Sequence, residues 1–317
     1  MFLFDQPVAL ASRSNDLLTI GEILVDMIAD DYSDNSSKIS LKYEAFFGGS
    51  PSNIAMNTKK LGIRSQVAAA VGQDRLGQFL QEHLVRAGMS TSLIQQHPVS
   101  TSMVVLTKST ASPIPIFYRG ADAQLSYTEQ LAAAVKQSKI VHFSCWPLSA
   151  SPVRDTMSNV IEAARQENTL LCFDPNYHPS IWMQERDAME DIRNVISMVD
   201  IVKPSEDDAT RLFGDDHPEA QVEKFLKLGA KLVILTLGAN GALVSNGKEM
   251  HQFPSLATKV VDTTGAGDAF WSGLYTGLVE GMTLKDSLQL GFAVSAYKLK
   301  FVGAVVDLPH YTQIERS

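Results

Sequence analysis

The sequence predicts an α/β fold with a mainly parallel central sheet, helices on both faces of that sheet and a small β-strand lid. Short β-branched runs alternate with segments whose apolar residues recur at helical spacing, which is the pattern of βαβ units. Two stretches that are polar or alternating depart from this pattern. The 317 residues contain no internal repeat, low-complexity tract or Pro/Ser-rich linker, so we expect one domain over residues 1–317.

The elements follow from these patterns in chain order. Strands are predicted over residues 18–25, 67–71, 140–143, 169–173, 201–202 and 232–237. Helices are predicted between them, over residues 53–61, 76–86, 153–166 and 220–228 among others. Because parallel sheets place ligands at the carboxyl ends of their strands, we expect the functional site at that edge.

The lid is predicted from insertions at about residues 27–47 and 99–122, with short strands over 101–106 and 114–118. Strands that project from a core sheet are suited to cover a site. Ordinary edge hairpins explain the same pattern, and the pattern alone does not decide between the two interpretations.

Composition excludes several classes of protein. There are 27 Lys and Arg against 35 Asp and Glu, a net charge of −8, and no basic block of the kind that binds nucleic acid. Acidic residues interrupt every apolar stretch before it is long enough to cross a membrane, and the N-terminus lacks the basic and apolar regions of a secretory signal. Cys145 and Cys172 fit no disulfide or zinc pattern. We therefore expect a soluble, cytoplasmic protein.

The most informative segment reads V-D-T-T-G-A-G-D-A-F over residues 261–270, ahead of an apolar helix. The small residues Gly265, Ala266 and Gly267 let backbone N–H groups face an anion at the helix N-terminus. Asp268 beside them can take a proton from an attacking hydroxyl while the amides stabilise a transferring phosphoryl group. The alternative is a tight turn in which Asp268 only supports the helix N-terminus.

A second glycine turn reads G-G-S-P-S-N from Gly48 to Asn53. Gly48 and Gly49 permit close approach of the backbone to a ligand, and Asn53 offers a donor and an acceptor to a polyol. Asp26, at the end of the first predicted strand, can accept two sugar hydroxyls. A helix cap and a solvated strand end are the alternatives for these residues.

Other nucleotide and hydrolase motifs do not fit. When residues 265–270 are aligned with the dinucleotide-binding motif G-x-G-x-x-G, Phe270 stands where the last glycine is needed. Glu249 follows Gly247-Lys248 where a P-loop needs Ser or Thr. The histidines show no H-E-x-x-H spacing and no G-x-S-x-G elbow occurs.

Taken together, the motifs resemble those of the ribokinase-like carbohydrate kinases, the PfkB family, over nearly the full chain. The matching segments are G-G-S-P-S-N-I-A at 48–55, G-Q-D-R-L-G at 72–77, F-D-P-N at 173–176, V-K-P-S-E-D-D-A at 202–209, T-L-G-A-N-G at 236–241 and D-T-T-G-A-G-D-A-F at 262–270. The resemblance implies a ribokinase-like fold, Mg-ATP as donor, a sugar hydroxyl as acceptor and Asp268 as catalytic base.

The resemblance also assigns the remaining site residues. The sugar is expected to meet Asp26, Gly48, Gly49, Asn53, Arg119 and Asn176. The nucleotide is expected at Lys203, Ser205, Thr236, Gly238, Gly241 and Phe292. Asp208 is expected to orient magnesium through water, and potassium is expected near Asp262, Thr264 and Gly303.

Two positions depart from the family pattern. The magnesium-linked N-x-x-E reads Ser205-Glu206-Asp207-Asp208, so the acidic arm is one methylene shorter. Phe292 stands where relatives often carry Asn or His, and it can pack on the adenine or simply belong to the core.

Two segments indicate which sugar accepts the phosphate. The lid stretch I-F-Y-R-G-A-D-A and the run F-D-P-N-Y-H look most like the corresponding segments of fructokinases. His178 stands where 2-keto-3-deoxygluconate kinases are expected to carry an arginine for the substrate carboxylate, so an uncharged ketohexose is favoured. Arg119 remains an alternative partner for a carboxylate.

Lids of the family often pair across a dimer, and Ile114, Ile116 and Phe117 are candidates for the apolar contact. A non-catalytic sugar or nucleotide sensor is the alternative of another class.

Overall fold

In this computed structural model of the chain, residues 2–32, 42–108, 115–182 and 188–316 are described. The strands are β1 Asn15–Ile20, β2 Leu24–Tyr32, β3 Tyr43–Gly48, β4 Ser65–Gly72, β5 Ile94–His97, β6 Met103–Lys108, β7 Ile116–Tyr118, β8 Ser138–Ser144, β9 Leu170–Asp174, β10 Ile201–Val202, β11 Leu232–Thr236, β12 Ala242–Ser245 and β13 Met250–Phe253. The α-helices are α1 Ser50–Leu61, α2 Arg75–Arg86, α3 Glu129–Gln137, α4 Val153–Gln166, α5 Ala188–Ile196, α6 Glu206–Phe213, α7 Pro218–Lys227, α8 Ala266–Val279 and α9 Leu284–Lys298.

The large sheet has the strand order β13-β12-β11-β10-β9-β8-β1-β4-β5. Its pairings are parallel from β5 through to β11, and β12 and β13 add an antiparallel edge. Helices connect the parallel strands, as such crossovers require. The predicted mainly parallel α/β sheet is confirmed.

Alternating residues of the central strands bury opposite faces of this sheet. On β11, Val233 and Leu235 pack into a cluster that includes residues of α4, α5 and α7, whereas Leu232 and Ile234 pack against α8 and α9. Because strand side chains alternate with period two, both faces of such a strand must be apolar if helices cover both. This explains the continuous apolar runs in the sequence.

The first predicted strand is in fact two strands. The chain leaves the large sheet after Ile20 and re-enters β structure at Leu24, in a second sheet. Gly21, at φ +150, makes the break, and a Cβ on it would lie 2.9 Å from Pro51 Cγ. The prediction of one strand over 18–25 was therefore wrong, and so was the placement of Asp26 at its end, since Asp26 lies inside β2.

The second sheet corresponds to the predicted lid, with the order β3-β2-β6-β7. The strand predicted over 101–106 is β6, and the one predicted over 114–118 is β7 at Ile116–Tyr118, while Ile114 and the middle of the first insertion lie outside the described residues. In this sheet β2 pairs in parallel with β6, and the other pairings are antiparallel.

Helices α8 and α9 pack side by side against the large sheet, and their contact is close because small residues face one another. A Cβ on Gly273 of α8 would lie 2.8 Å from the Cα of Gly291 of α9. Trp271 and Tyr275 of α8 are completely buried. Among the described residues, none of the helices is long and apolar enough to cross a membrane.

Candidate active site

The carboxyl ends of the parallel strands meet in a cleft of about 390 Å³. Asp174 ends β9, Lys203 follows β10 and Thr236 ends β11, so neighbouring strands deliver them to one edge. The cleft is lined by Asp26, Gly49, Ser50, Asn53, Asp174, Asn176, Lys203, Ser205, Asp208, Thr236, Thr263, Thr264, Gly265, Ala266, Gly267, Asp268 and Ala304. The predicted location of the site agrees with this geometry.

The loop at the N-terminus of α8 forms one wall of this cleft. Gly265 adopts the left-handed conformation, φ +73, which lets the chain turn into α8 at Ala266. A Cβ on Gly265 would lie 2.6 Å from the Cα of Ala304, so the loop is backed closely by residue 304. The Ala266 N–H donates to the Thr263 carbonyl at 3.1 Å. The other N–H groups and the dipole at this end of a 14-residue helix suit a negatively charged ligand.

Asp268, in the first turn of α8, is held by two side chains from the other glycine turn. Ser50 Oγ donates to Asp268 Oδ1 at 2.6 Å, and Asn53 Nδ2 donates to Asp268 Oδ2 at 2.9 Å. Burial raises the pKa of the Asp268 carboxyl, and these hydrogen bonds oppose the shift. A carboxylate whose pKa is moved toward neutrality is better matched to general base catalysis.

Asn53 is buried, and its Oδ1 has no hydrogen-bond partner among the described residues. An unpaired buried acceptor is costly, so a donor is expected to reach it when a ligand binds. Since Asn53 lines the cleft, a ligand hydroxyl can meet this need.

Lys203 places a cation beside the loop. Its Nζ lies 2.9 Å from Asp174 Oδ2, which also accepts from Trp271 Nε1 at 2.8 Å. A Cβ on Gly267 would lie 3.5 Å from this Nζ, so the ammonium faces the same loop as the N–H groups. Lys203 and Asp174 are both buried, which strengthens their interaction.

Two more carboxyl groups, Asp26 and Glu22, lie near Asp268, and of the two Asp26 lines the cleft. Burial and the nearby Asp268 raise the pKa of Asp26 to about 7. Burial raises the pKa of Glu22 to about 8, although the Ser50 backbone N–H donates to its Oε1 at 3.1 Å. A Cβ on Gly48 would lie 2.7 Å from Asp26 Cγ, so glycine is required for β3 to pass this carboxyl.

Comparisons with known proteins agree with this arrangement. The profile of the pfkB family carbohydrate kinases matches residues 14–310. The chain is 53% identical over 315 residues to an ATP-dependent 6-phosphofructokinase of Thermoanaerobacterium thermosaccharolyticum, covering 99% of this chain and 97% of the relative. The structure of Halothermothrix orenii fructokinase is 40% identical with a TM-score of 0.80, and 89% of this chain and 99% of that one are covered.

A third relative was solved with nucleotide. The uncharacterized sugar kinase PH1459 from Pyrococcus horikoshii in complex with ATP is 27% identical with a TM-score of 0.81, covering 94% of this chain and 96% of that one.

The chain belongs to the pfkB family of carbohydrate kinases. It is therefore a phosphotransferase, and the resemblance predicted from its motifs is confirmed, as is the ribokinase-like fold.

In this pfkB kinase, Asp208 is tied into the N-terminus of α6. Its Oδ2 accepts from the Ser205 N–H at 2.9 Å and from Ser205 Oγ at 2.7 Å, and its Oδ1 accepts from the Tyr177 N–H at 2.6 Å. Burial raises the pKa of Asp208. Ser205 and Asp208 thus form a capping box, a role that the sequence analysis did not foresee for them.

Magnesium fits this edge by the chemistry of its donors, because Asp174 and Asp208 bring two carboxylates to the cleft. Among the described residues there is no cluster of three or more metal-ligating side chains. Mg²⁺ does not need one, since it usually keeps several waters and binds through one or two carboxylates and the substrate phosphates.

Five predicted residues of the sugar and nucleotide sites do not line the cleft in this structure, and one of them is Gly48, which ends β3 beside Asp26. Arg119 Nε donates to Asp122 Oδ2 at 2.9 Å, and its guanidinium also bonds Ser149 and lies over the Trp146 ring. Phe292 is buried against Phe253 and Phe270, with ring centroids 5.9 and 4.8 Å away, which agrees with its core interpretation. The remaining two are Gly238 and Gly241, which flank the turn after β11.

The groups that the resemblance assigned to potassium are already paired within the protein. Asp262 Oδ1 accepts from the Thr264 N–H at 2.9 Å, and Oδ2 accepts from the Gly303 N–H at 2.7 Å. The backbone carbonyl of Asp262 accepts from Lys298 Nζ at 2.7 Å. Of this set, only Thr264 lines the cleft.

Sequence reasoning missed four residues that line the cleft, Ser50, Asp174, Thr263 and Ala304. It also missed Glu22, whose carboxyl accepts from the Ser50 backbone N–H. Ser50 and Asp174 lie within quoted motifs, and their position next to glycines or at a strand end was the available signal. Glu22 carried no such signal, because its role depends on a buried contact with the Ser50 backbone. Such a contact joins segments that only the fold brings together.

Proposed function

We propose that this kinase transfers the γ-phosphate of ATP to a hydroxyl of a ketohexose, with fructose as the acceptor and fructose 6-phosphate as the product. The observation that carries this proposal is the Asp268 carboxylate. Ser50 and Asn53 hold it at the N-terminus of α8, directly beside the anion-binding loop and Lys203. A base and a phosphate site are thereby adjacent.

In the proposed reaction, Asp268 accepts the proton of the sugar hydroxyl as the hydroxyl oxygen forms a bond to the γ-phosphorus. The bond from that phosphorus to the β–γ bridging oxygen breaks, and ADP leaves with its electron pair. Backbone N–H groups of residues 265–267 and the Lys203 ammonium stabilise the charge on the transferring group.

We propose that ATP lies along the loop of residues 263–267 toward Thr236, with its base near the turn that holds Gly238 and Gly241. The ATP complex of the Pyrococcus horikoshii relative supports ATP as the donor. Magnesium, held by Asp174 and Asp208 through water, would neutralise phosphate charge when bound.

Fructose is proposed because the acceptor end of the cleft is acidic and rich in polar groups. Asp26 and the unpaired Oδ1 of Asn53 suit sugar hydroxyls. Lys203 is the one cationic side chain among the described residues that line the cleft, and it is paired with Asp174. An uncharged acceptor therefore meets less electrostatic opposition than an anionic one.

Fructose 6-phosphate is the second candidate acceptor, which would make the product a bisphosphate. The observation that favours it is the 53% identity to a relative named ATP-dependent 6-phosphofructokinase. This acceptor would need a cation for its phosphate, and Arg119 on the lid side is the candidate once its bond to Asp122 is exchanged.

We also propose that the kinase is a cytoplasmic homodimer that pairs through its lid. Ile116 and Tyr118 on β7 are 50% and 52% exposed and lie on the same face of the strand. Phe117, which was expected in this contact, instead packs on Trp146 and His178 inside the protomer. The exposed pair on β7 is what supports the dimer.

The acceptor is tested by ATP-dependent release of ADP from the purified kinase. The assay compares fructose, fructose 6-phosphate and 2-keto-3-deoxygluconate at equal concentrations, with glucose and ribose as controls. A kcat/KM for fructose that exceeds the others supports the first proposal. A higher value for fructose 6-phosphate would replace it with the second, and preference for the keto-deoxy acid would contradict both.

A further inference from the structure

The turn that leads into the anion-binding loop is supported by a buried lysine. Lys298, the last residue of α9, has no solvent exposure. Its Nζ donates to the Asp262 carbonyl at 2.7 Å and lies 3.9 Å from Asp262 Oδ2. A lysine is seldom fully buried without a partner, because removing its charge from water is costly.

The position of this ammonium is electrostatically favourable. The C-terminus of a helix carries partial negative charge, so the end of α9 attracts a cation. The Asp262 carboxylate adds a full negative charge close by. Burial lowers the pKa of Lys298, and Asp262 and Asp268 oppose that shift.

The turn that Lys298 supports is also the one near which potassium was expected, at Asp262, Thr264 and Gly303. A second cation on the Asp262 carbonyl would have to share that oxygen with the Lys298 ammonium, and two positive charges at such a distance repel strongly in a buried site. The Asp262 carboxylate is also paired with the N–H groups of Thr264 and Gly303. The residues present therefore do not fit a potassium ion.

We propose that the Lys298 ammonium takes the place of a monovalent cation in this kinase, so that turnover does not depend on potassium. Lys298 is a positioning residue in this proposal. It holds the carbonyl of Asp262, whose carboxylate ties Thr264 to Gly303, and this turn sets the N–H groups of the loop beside Asp268.

The proposal rests on the kinase activity, and it is tested by two readouts. Initial rates with the best acceptor and the midpoint of thermal unfolding without ligands are each measured in potassium chloride and in tetramethylammonium chloride at equal ionic strength. For the wild-type protein we expect both values to be the same in the two salts. A rate or midpoint that rises with potassium would overturn the proposal.

The Lys298→Met variant supplies the complementary test. In tetramethylammonium chloride we expect its kcat to fall by about tenfold, because a displaced loop weakens stabilisation of the transferring group. Potassium is expected to restore the rate and to raise the unfolding midpoint of this variant only. If potassium changes neither the rate nor the unfolding midpoint of this variant, the proposal is contradicted.

Lys285→Met is the matched control, because Lys285 is an exposed lysine on the same helix. It is expected to behave as the wild type in both salts. If Lys298→Met fails to fold, the wild-type salt comparison still decides. If the wild-type protein turns over no sugar, the function proposed above fails while the unfolding midpoints still test Lys298.

Discussion

At the scale of single residues, the site is defined by carboxyl groups whose environments differ. Burial raises the pKa of Glu22 to about 8 and that of Asp26 to about 7. Burial also raises the pKa of Asp268, and the hydrogen bonds from Ser50 and Asn53 to its charged form oppose that shift. Buried carboxyl groups with shifted pKa values are typical of catalytic sites. Two predictions at this scale concern Asp268 and Glu22.

The first concerns the acid limb of the rate profile. Ser50→Ala removes a hydrogen bond that favours the charged form of Asp268, so the pKa of Asp268 should rise. Because the base must be deprotonated, the acid limb of kcat/KM is expected to move to higher pH. Ser52→Ala is the control, since Ser52 Oγ donates to the Glu22 carbonyl and not to Asp268. An unchanged limb in Ser50→Ala would contradict the role given to Ser50.

The second concerns stability. Glu22 has a folded-state pKa of about 8 against 4.5 for an unperturbed glutamate, so between these values the folded state binds more protons than the unfolded state. Its contribution to the free energy of unfolding is therefore present below about pH 4.5 and is lost as pH rises toward 8. Glu22→Gln removes this titration while it keeps an acceptor for the Ser50 N–H.

Urea unfolding at pH 5 and pH 8 tests this prediction. The free energy of unfolding of Glu22→Gln minus that of the wild type is expected to be larger at pH 8 than at pH 5, because only the wild type loses stability between these values. An equal difference at the two pH values would show that Glu22 does not titrate in this range.

At the scale of elements, the loop before α8 depends on backbone geometry. Gly265 and Gly281 flank the two ends of this helix with φ values of +73 and +72. A Cβ on Gly265 would collide with the backbone of Ala304, whereas nothing lies within 4 Å of a Cβ on Gly281. Substitutions at these two glycines therefore distinguish the free-energy cost of the left-handed backbone, which both share, from the cost of the contact with Ala304, which only Gly265 has.

The third prediction uses this pair. Gly281→Ala is expected to lower the free energy of unfolding by about 1 kcal/mol, the cost of the left-handed backbone alone. Gly265→Ala is expected to cost more and also to lower kcat, because the loop must move away from residue 304. Equal effects of the two substitutions on stability and on kcat would contradict the proposed packing of the loop.

Element prediction from the sequence was accurate where one strand or helix carried one pattern, as in α4 and β10. It was wrong at residues 18–25, where two strands of different sheets share a continuous apolar run. The hydrophobic pattern gives no sign of the bend at Gly21. Glycine is required there because Pro51 lies close to it, and only the tertiary structure brings Pro51 to that place. The capping box of Ser205 and Asp208 has a local signature three residues apart, but the bond that Tyr177 donates to Asp208 comes from another segment and has none.

At the scale of the whole molecule, the motifs predicted which segments meet but not how they bond. The two glycine turns lie more than 200 residues apart, and the contact of Asn53 with Asp268 joins them. The same holds for Phe292, which packs against Phe270, and for Arg119, whose guanidinium lies over the Trp146 ring. Such partners have no local sequence signature.

The fourth prediction belongs to this scale. If the lid pairs two copies through β7, Ile116→Asp should reduce the mass measured by light scattering from that of two chains to that of one, because a buried charge disfavours the contact. Val85→Asp, at another exposed apolar residue on α2, is the control and should leave the mass unchanged. A wild-type mass equal to one chain would remove the dimer.

The central claim is that Asp268 takes the proton of the acceptor hydroxyl, and the Asp268→Asn variant tests it most directly. The amide keeps the size of the side chain but cannot accept this proton as a carboxylate does. With the preferred acceptor we expect kcat to fall by about 10³-fold while the dissociation constant for the sugar changes by less than about threefold. Near-normal turnover of Asp268→Asn would contradict the account.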